Sequence, residues 1–244
     1  MRHWMRDFIG RHEVGSAILL IAVYCFGSAN VPGGSDSYWC ILFLGCCALV
    51  ITLGVCLSGN AGRYGLSSWP VHSRKFLYFI PLWIITSSNL WGGVAFSEHG
   101  IALAGTVVSM LFVGYIEEML FRGLLFSALL KSEGVVTAVT VSSVTFGIGH
   151  IVNLFTGMDT LMTFIQVVYA VAMGFMFTMV FYRSRSLWPC IISHQLIDIF
   201  SYFINYGMVL SWIVTGVVFS GCIVYGIYLA KLPDEVTQQS EMVL

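Results

Sequence analysis

The chain has 244 residues, of which 58% are hydrophobic and only 9% charged. A soluble globular domain carries roughly 25% charged residues, so a water-facing surface over most of the chain is excluded, and the mean hydropathy of +0.87 agrees. The net charge of −1 leaves no basic footprint for nucleic acid.

A helix needs about 20 apolar residues to cross the hydrocarbon core. Eight segments meet that need: 14–30, 38–57, 76–96, 101–130, 134–155, 161–182, 187–206 and 208–230. The expected fold class is therefore an all-α polytopic membrane protein of about eight transmembrane helices. It forms one integral membrane domain over residues 1–244, with a core at about 101–206 and a polar cytoplasmic tail at 232–244. The fourth segment is too long for a simple span, so it tilts or extends past the membrane. The first twelve residues place Trp4 with Phe8 and Met5 with Ile9, which suits a short interfacial helix. They also suit the n-region of a signal peptide cleaved near Gly27-Ser28-Ala29. The length of the apolar stretch at 14–30 favours a retained span.

Charge orders the loops. Arg2, Arg6, Arg11, Arg63, Arg74, Lys75, Lys131, Arg183, Arg185 and Lys231 fall on one side of these spans, and the other loops hold Asp36, Glu98 and Asp159 without Lys or Arg. Ten of the eleven basic residues thus share a side, which the positive-inside rule makes cytoplasmic, with both termini inside. The seven cysteines show no metal-ligand spacing and read as small apolar residues. A Cys25–Cys40 disulfide near the outer surface is one arrangement the spacing permits.

The eleventh basic residue, Arg122, lies inside span four, in Tyr115-Ile116-Glu117-Glu118-Met119-Leu120-Phe121-Arg122-Gly123. Span five carries Phe146-Gly147-Ile148-Gly149-His150 and span seven carries His194-Gln195-Leu196-Ile197-Asp198. An ionised side chain at mid-span costs roughly 2.5–3.5 kcal/mol, so three acids and an arginine cost on the order of 10 kcal/mol before pairing offsets it. Packing alone does not repay that. Glu118 and Arg122 are i,i+4 and form a supporting ion pair. Glu117 points about 100° away and is left without an obvious partner, which favours a role in chemistry. His194 and Asp198 are also i,i+4, so the carboxylate can hold one ring nitrogen. All four of Glu117, His150, His194 and Asp198 can meet around a water-filled cavity in the cytoplasmic half, open to the cell interior. Gly147 and Gly149 let span five approach a neighbour closely. Taken singly, either His150 or His194 is equally a helix-to-helix hydrogen-bonding group, and Asn89, Gln166 and Asn205 read as polar glue between helices.

Together, Glu117-Glu118…Arg122, Phe146…His150 and His194…Asp198 resemble the motifs EExxxR, FxxxH and HxxxN/D of the CPBP family, the CAAX-protease and bacteriocin-processing (Abi) membrane proteins. The resemblance covers about residues 101–206. It implies an intramembrane glutamic-type endopeptidase that cleaves a membrane-associated protein or peptide near the cytoplasmic face. Glu117 and His150 would activate a water, His194 and Asp198 would stabilise the oxyanion, Glu118 and Arg122 would pair, and Phe146 would pack within its motif. The eukaryotic prenyl-protein endopeptidases of that family have Asn at the last position, where an amide can donate, and an ionised Asp198 cannot donate to an oxyanion. Asp198 is therefore expected to orient His194 and favour its protonated form, leaving His194 as the main donor.

The family implies no cofactor. Two histidines with a carboxylate also suit zinc, which is the alternative, although no HExxH is present. Other function classes compatible with buried acids are a proton-coupled transporter and a non-catalytic scaffold or immunity protein. The first lacks visible inverted repeats; the second does not explain intact motifs. Expected partners are the bilayer and a membrane-associated substrate, with no nucleic acid. Short loops suggest a multi-pass protein of a bacterial plasma membrane.

Overall fold

In hydrocarbon a backbone must satisfy its own N–H and C=O groups, which a long apolar chain does by forming helices. The computed structural model describes residues 12–70, 79–96 and 99–232 and consists of helices joined by short turns. The possible interfacial helix, Arg74 and Lys75, and the polar tail lie outside the described residues, apart from Leu232 at its start.

Helix α1 runs Glu13–Asn30 and α2 Tyr38–Ser58. Ser37 caps α2 by accepting from the Cys40 amide at 3.1 Å, and Gly59, at φ +73°, ends it. Helix α3, Ile80–Thr86, has only seven residues. Helix α4 is a continuous rod, Gly100–Glu133. It is α-helical over Gly100–Glu118, π-helical over Met119–Phe126 and α-helical again over Ser127–Glu133. Helix α5, Val135–Gly149, tightens into a 3₁₀ turn, His150–Leu154; α6 spans Thr160–Ser184, α7 Trp188–Ser201 and α8 Met208–Ala230. Asp159 caps α6 by accepting from the amides of Leu161 and Met162.

Among the described residues, six helices are long and apolar enough to cross a membrane: α1, α2, α4, α5 with its 3₁₀ turn, α6 and α8. The expected count of eight is therefore not reached among the described residues. Segment 76–96 is apolar, but Gly93 turns the chain at φ +97°. The two residues after it pair in extended form, Val94 bridging Ile204 and the Ala95 amide donating to Phe203 O at 3.0 Å. Segment 187–206 yields the 14-residue α7, about 21 Å at 1.5 Å per residue, short of the roughly 30 Å core. The length of α4 is as expected.

Close packing sets the interior. A Cβ on Gly147 would lie 2.8 Å from Val167 O, and one on Gly174 3.2 Å from Ser143 Cα, so α5 and α6 touch through glycine, as membrane helices do at small residues. Gly114 plays the same part for α4 against α7, its added Cβ lying 2.9 Å from the Gln195 amide. Gly149 is looser, with Cys25 Sγ at 3.7 Å. At the basic ends, Glu13 accepts from Arg63 at 2.9 and 2.6 Å and lies 3.4 Å from Lys131 Nζ. Arg63 also donates to Ser127 O at 3.1 Å. The bond to Glu13 holds the Arg63 guanidinium above its usual range. This cluster clamps α1 to the end of α4. Cys25 and Cys40 are free thiols, so the disulfide that the spacing permits is not formed.

Candidate active site

The three motifs meet where α4, α5 and α7 come together. Glu118 and Arg122, both wholly buried, pair at 3.0 Å, as the i,i+4 spacing requires. The guanidinium centre lies 4.1 Å from the Phe146 ring centroid and 5.5 Å from that of Phe177. Cation–π attraction thereby compensates part of its desolvation, and Phe146 acquires a definite task. The ion pair sits at the junction where α4 turns π-helical, a rare winding concentrated at functional sites.

Glu118 also holds His194. Its Oε1 lies 2.8 Å from His194 Nδ1, whereas Asp198 Oδ2 is 3.6 Å from Nε2, beyond hydrogen-bond range. Asp198 thus pairs with the other ring nitrogen by charge, at a distance beyond a hydrogen bond, while Glu118 makes the hydrogen bond. On a helix the i,i+4 carboxylate is near, but a partner from across the helix interface approaches the ring edge more directly. A carboxylate accepts, so Nδ1 carries the proton and Nε2 is the atom left for chemistry. It lies 3.7 Å from Glu117 Oε2 and 3.6 Å from Asp198 Oδ2. The ring is stacked on Phe177 and packed edge-on against Phe146.

Glu117 is not unpartnered. The Tyr24 hydroxyl of α1 donates to its Oε1 at 3.0 Å, and Oε2 faces His194. His150 closes α5, with Nδ1 3.1 Å from Phe146 O. A carbonyl only accepts, so Nδ1–H donates and Nε2 is left as a base or acceptor.

Glu117, His150 and Asp198 share the wall of a cavity of about 390 Å³ with Tyr24, Asn153, Gln166 and Tyr202. Asn153 donates to Gln166 Oε1 at 2.7 Å, so Gln166 is part of a polar wall, while Asn89, donating to Ile197 O at 2.9 Å, is the helix glue expected. Cys25 and Cys40 line the same space. A larger apolar groove of about 610 Å³ between α3 and α8 holds no carboxylate or imidazole. Among the described residues no three His, Cys, Asp or Glu side chains converge as a ligand set.

Tyr24 is the partner of Glu117 that the sequence reading missed. Its signal was a phenol within an apolar span, whose hydroxyl needs a hydrogen-bond partner there.

No curated protein and no solved structure matches the chain. Residues 98–200, the stretch that contains all three motifs, match the family model described as Rce1-like, type II CAAX prenyl endopeptidase, so across its core the chain is similar to the CAAX-protease family that the motifs pointed to.

Proposed function

We propose that this protein is an intramembrane endopeptidase that hydrolyses a peptide bond of a membrane-associated protein or peptide, with a carboxylate and imidazoles activating water. The observation that carries this reading is Glu117, anchored by Tyr24 at one oxygen and facing His194 Nε2 at 3.7 Å with the other, on a cavity wall shared with His150 and Asp198. A structural ion pair needs no such cavity; a hydrolytic site does.

In the proposed reaction Glu117 takes a proton from a water that His150 Nε2 helps to hold, and the oxygen attacks the scissile carbonyl carbon. Negative charge gathers on the carbonyl oxygen, where His194, doubly protonated with Nδ1–H held by Glu118, donates from Nε2–H. The C–N bond then breaks, and the proton held by Glu117 passes to the leaving amine. Glu118 keeps His194 in place by its hold on Nδ1, and Arg122 is the counter-charge that pairs with Glu118 at 3.0 Å. Asp198 tunes this centre from 3.6 Å without bonding the ring. No metal enters these steps. The membrane is proposed to be a bacterial plasma membrane. Comparative peptidomics of membranes holding wild-type or Glu117→Gln protein tests the reading: products present with wild type and absent with the variant support it, and identical peptide sets overturn it.

A further inference from the structure

The cavity is closed toward the helix ends that carry the basic residues, the side on which the sequence places its opening. The basic residues Arg63, Lys131, Arg183, Arg185 and Lys231 mark one set of helix ends. Between the site and those ends lies a layer of side chains with almost no exposure, including Leu120, Phe126, Phe177, Leu187 and Ile191. The loop after α2 covers the start of α7 as well. The Leu187 amide donates to Gly65 O at 2.9 Å, and the Trp188 indole donates to Leu66 O at 3.0 Å. Gly65, at φ +73°, is buried against Phe181, and a Cβ there would lie 2.9 Å from the Leu187 amide.

The cavity runs the other way. From the carboxylates its wall continues to Ser28 at the end of α1, Cys40 at the start of α2, Val152 and Asn153 after α5, Gln166 near the start of α6 and Tyr202 after α7. Ser28 is exposed, and Asn153 and Tyr202 are half-buried. These are the helix ends opposite the basic residues, and the loops joining them contain no Lys or Arg.

The positive-inside rule places the basic ends in the cytoplasm. We infer that the site is reached from the extracytoplasmic side, so that its substrate is a peptide segment presented at the outer face of the membrane. This inference rests on the peptidase reading for the nature of the ligand, but the direction of access can be measured without any cleavage.

Ser28→Cys and Asn153→Cys, on the cavity wall, and Ser132→Cys, at the basic end of α4, are expressed one at a time in the full chain in its own membrane. Right-side-out and inverted vesicles are treated with a membrane-impermeant maleimide, and the modified residue is read by mass spectrometry so that native cysteines do not interfere. Modification of Ser28→Cys or Asn153→Cys from outside, and of Ser132→Cys only in inverted vesicles, is the expected result. Modification of both cavity variants only in inverted vesicles, modification of Ser132→Cys from outside, or no modification of either cavity variant overturns the inference. Glu117→Gln leaves this labelling pattern unchanged whether or not the protein is a peptidase, so failure of one reading is distinct from failure of the other.

Discussion

The hydroxyl of Tyr24 donates to Glu117 Oε1 at 3.0 Å across 93 residues of sequence. It joins α1, outside the family match at 98–200, to an acid inside that match. One oxygen of Glu117 is thereby fixed and the other is directed at His194.

Tyr24→Phe keeps the ring and removes only this donor. A hydrogen bond to a charged group is worth about 1.5–3 kcal/mol, so cleavage is expected to slow by about tenfold or more. The unfolding midpoint in detergent should fall by no more than the loss of this one bond allows, about 1.5–3 kcal/mol. Turnover and the unfolding midpoint, measured on one preparation, check this; full activity in the variant would show that Glu117 needs no anchor.

His194 and Asp198 separate by contact. Asp198→Asn is expected to retain substantial activity because its oxygen stands 3.6 Å from Nε2, beyond a hydrogen bond, while Glu118 holds the ring. His194→Ala is expected to lose most activity, roughly 10²-fold or more for removal of an oxyanion donor. Rates of both variants on one peptide decide it. Asp198→Asn being as inactive as Glu117→Ala would refute the division of labour.

Glu118→Gln should act on folding rather than on chemistry alone. It leaves Arg122 wholly buried without its counter-charge, and breaking a buried pair in this way costs about 3–5 kcal/mol. The expected outcome is a large fall in unfolding midpoint and in yield, checked by thermal melts in detergent. The double change Glu118→Gln with Arg122→Met should recover part of the lost stability.

Gly147→Val tests the α5–α6 contact. Even a Cβ at this position meets Val167 O at 2.8 Å, and overpacking of this kind costs about 1–3 kcal/mol. Because His150 lies three residues further on, activity should fall further than stability. Parallel melts and rates check it; a variant as active as wild type would show that this contact does not position His150.

Purified protein is expected to cleave equally well with and without a strong chelator, since the proposed steps use side chains and water. Loss of cleavage on chelation, restored by added zinc, would replace the glutamate mechanism with the metal alternative.

Much of the site was legible because helical spacing fixes local partners. Glu118 and Arg122 pair as i,i+4 demands, and Glu117 diverges from them as the 100° step demands. Bonds across the bundle were not legible in that way. Glu118 rather than Asp198 holds His194, and Tyr24 reaches Glu117, because partner choice there depends on how α1, α4 and α7 pack. The apolar segments 76–96 and 187–206 read as full spans because hydropathy weighs composition and not helical continuity. In the structure Gly93 turns the first, and the second ends as a helix at Ser201. The direction in which the cavity opens depends on which helix ends the buried apolar side chains fill, and periodicity carries no such information.

The most direct test is the rate of peptide-bond cleavage by purified wild-type and Glu117→Gln protein on a peptide identified from the native membrane, with matched melts to show that both fold. Cleavage by wild type, and a loss of about 10³-fold or more in the variant at unchanged stability, is the expected result. Equal rates in the two proteins would contradict Glu117 as the base.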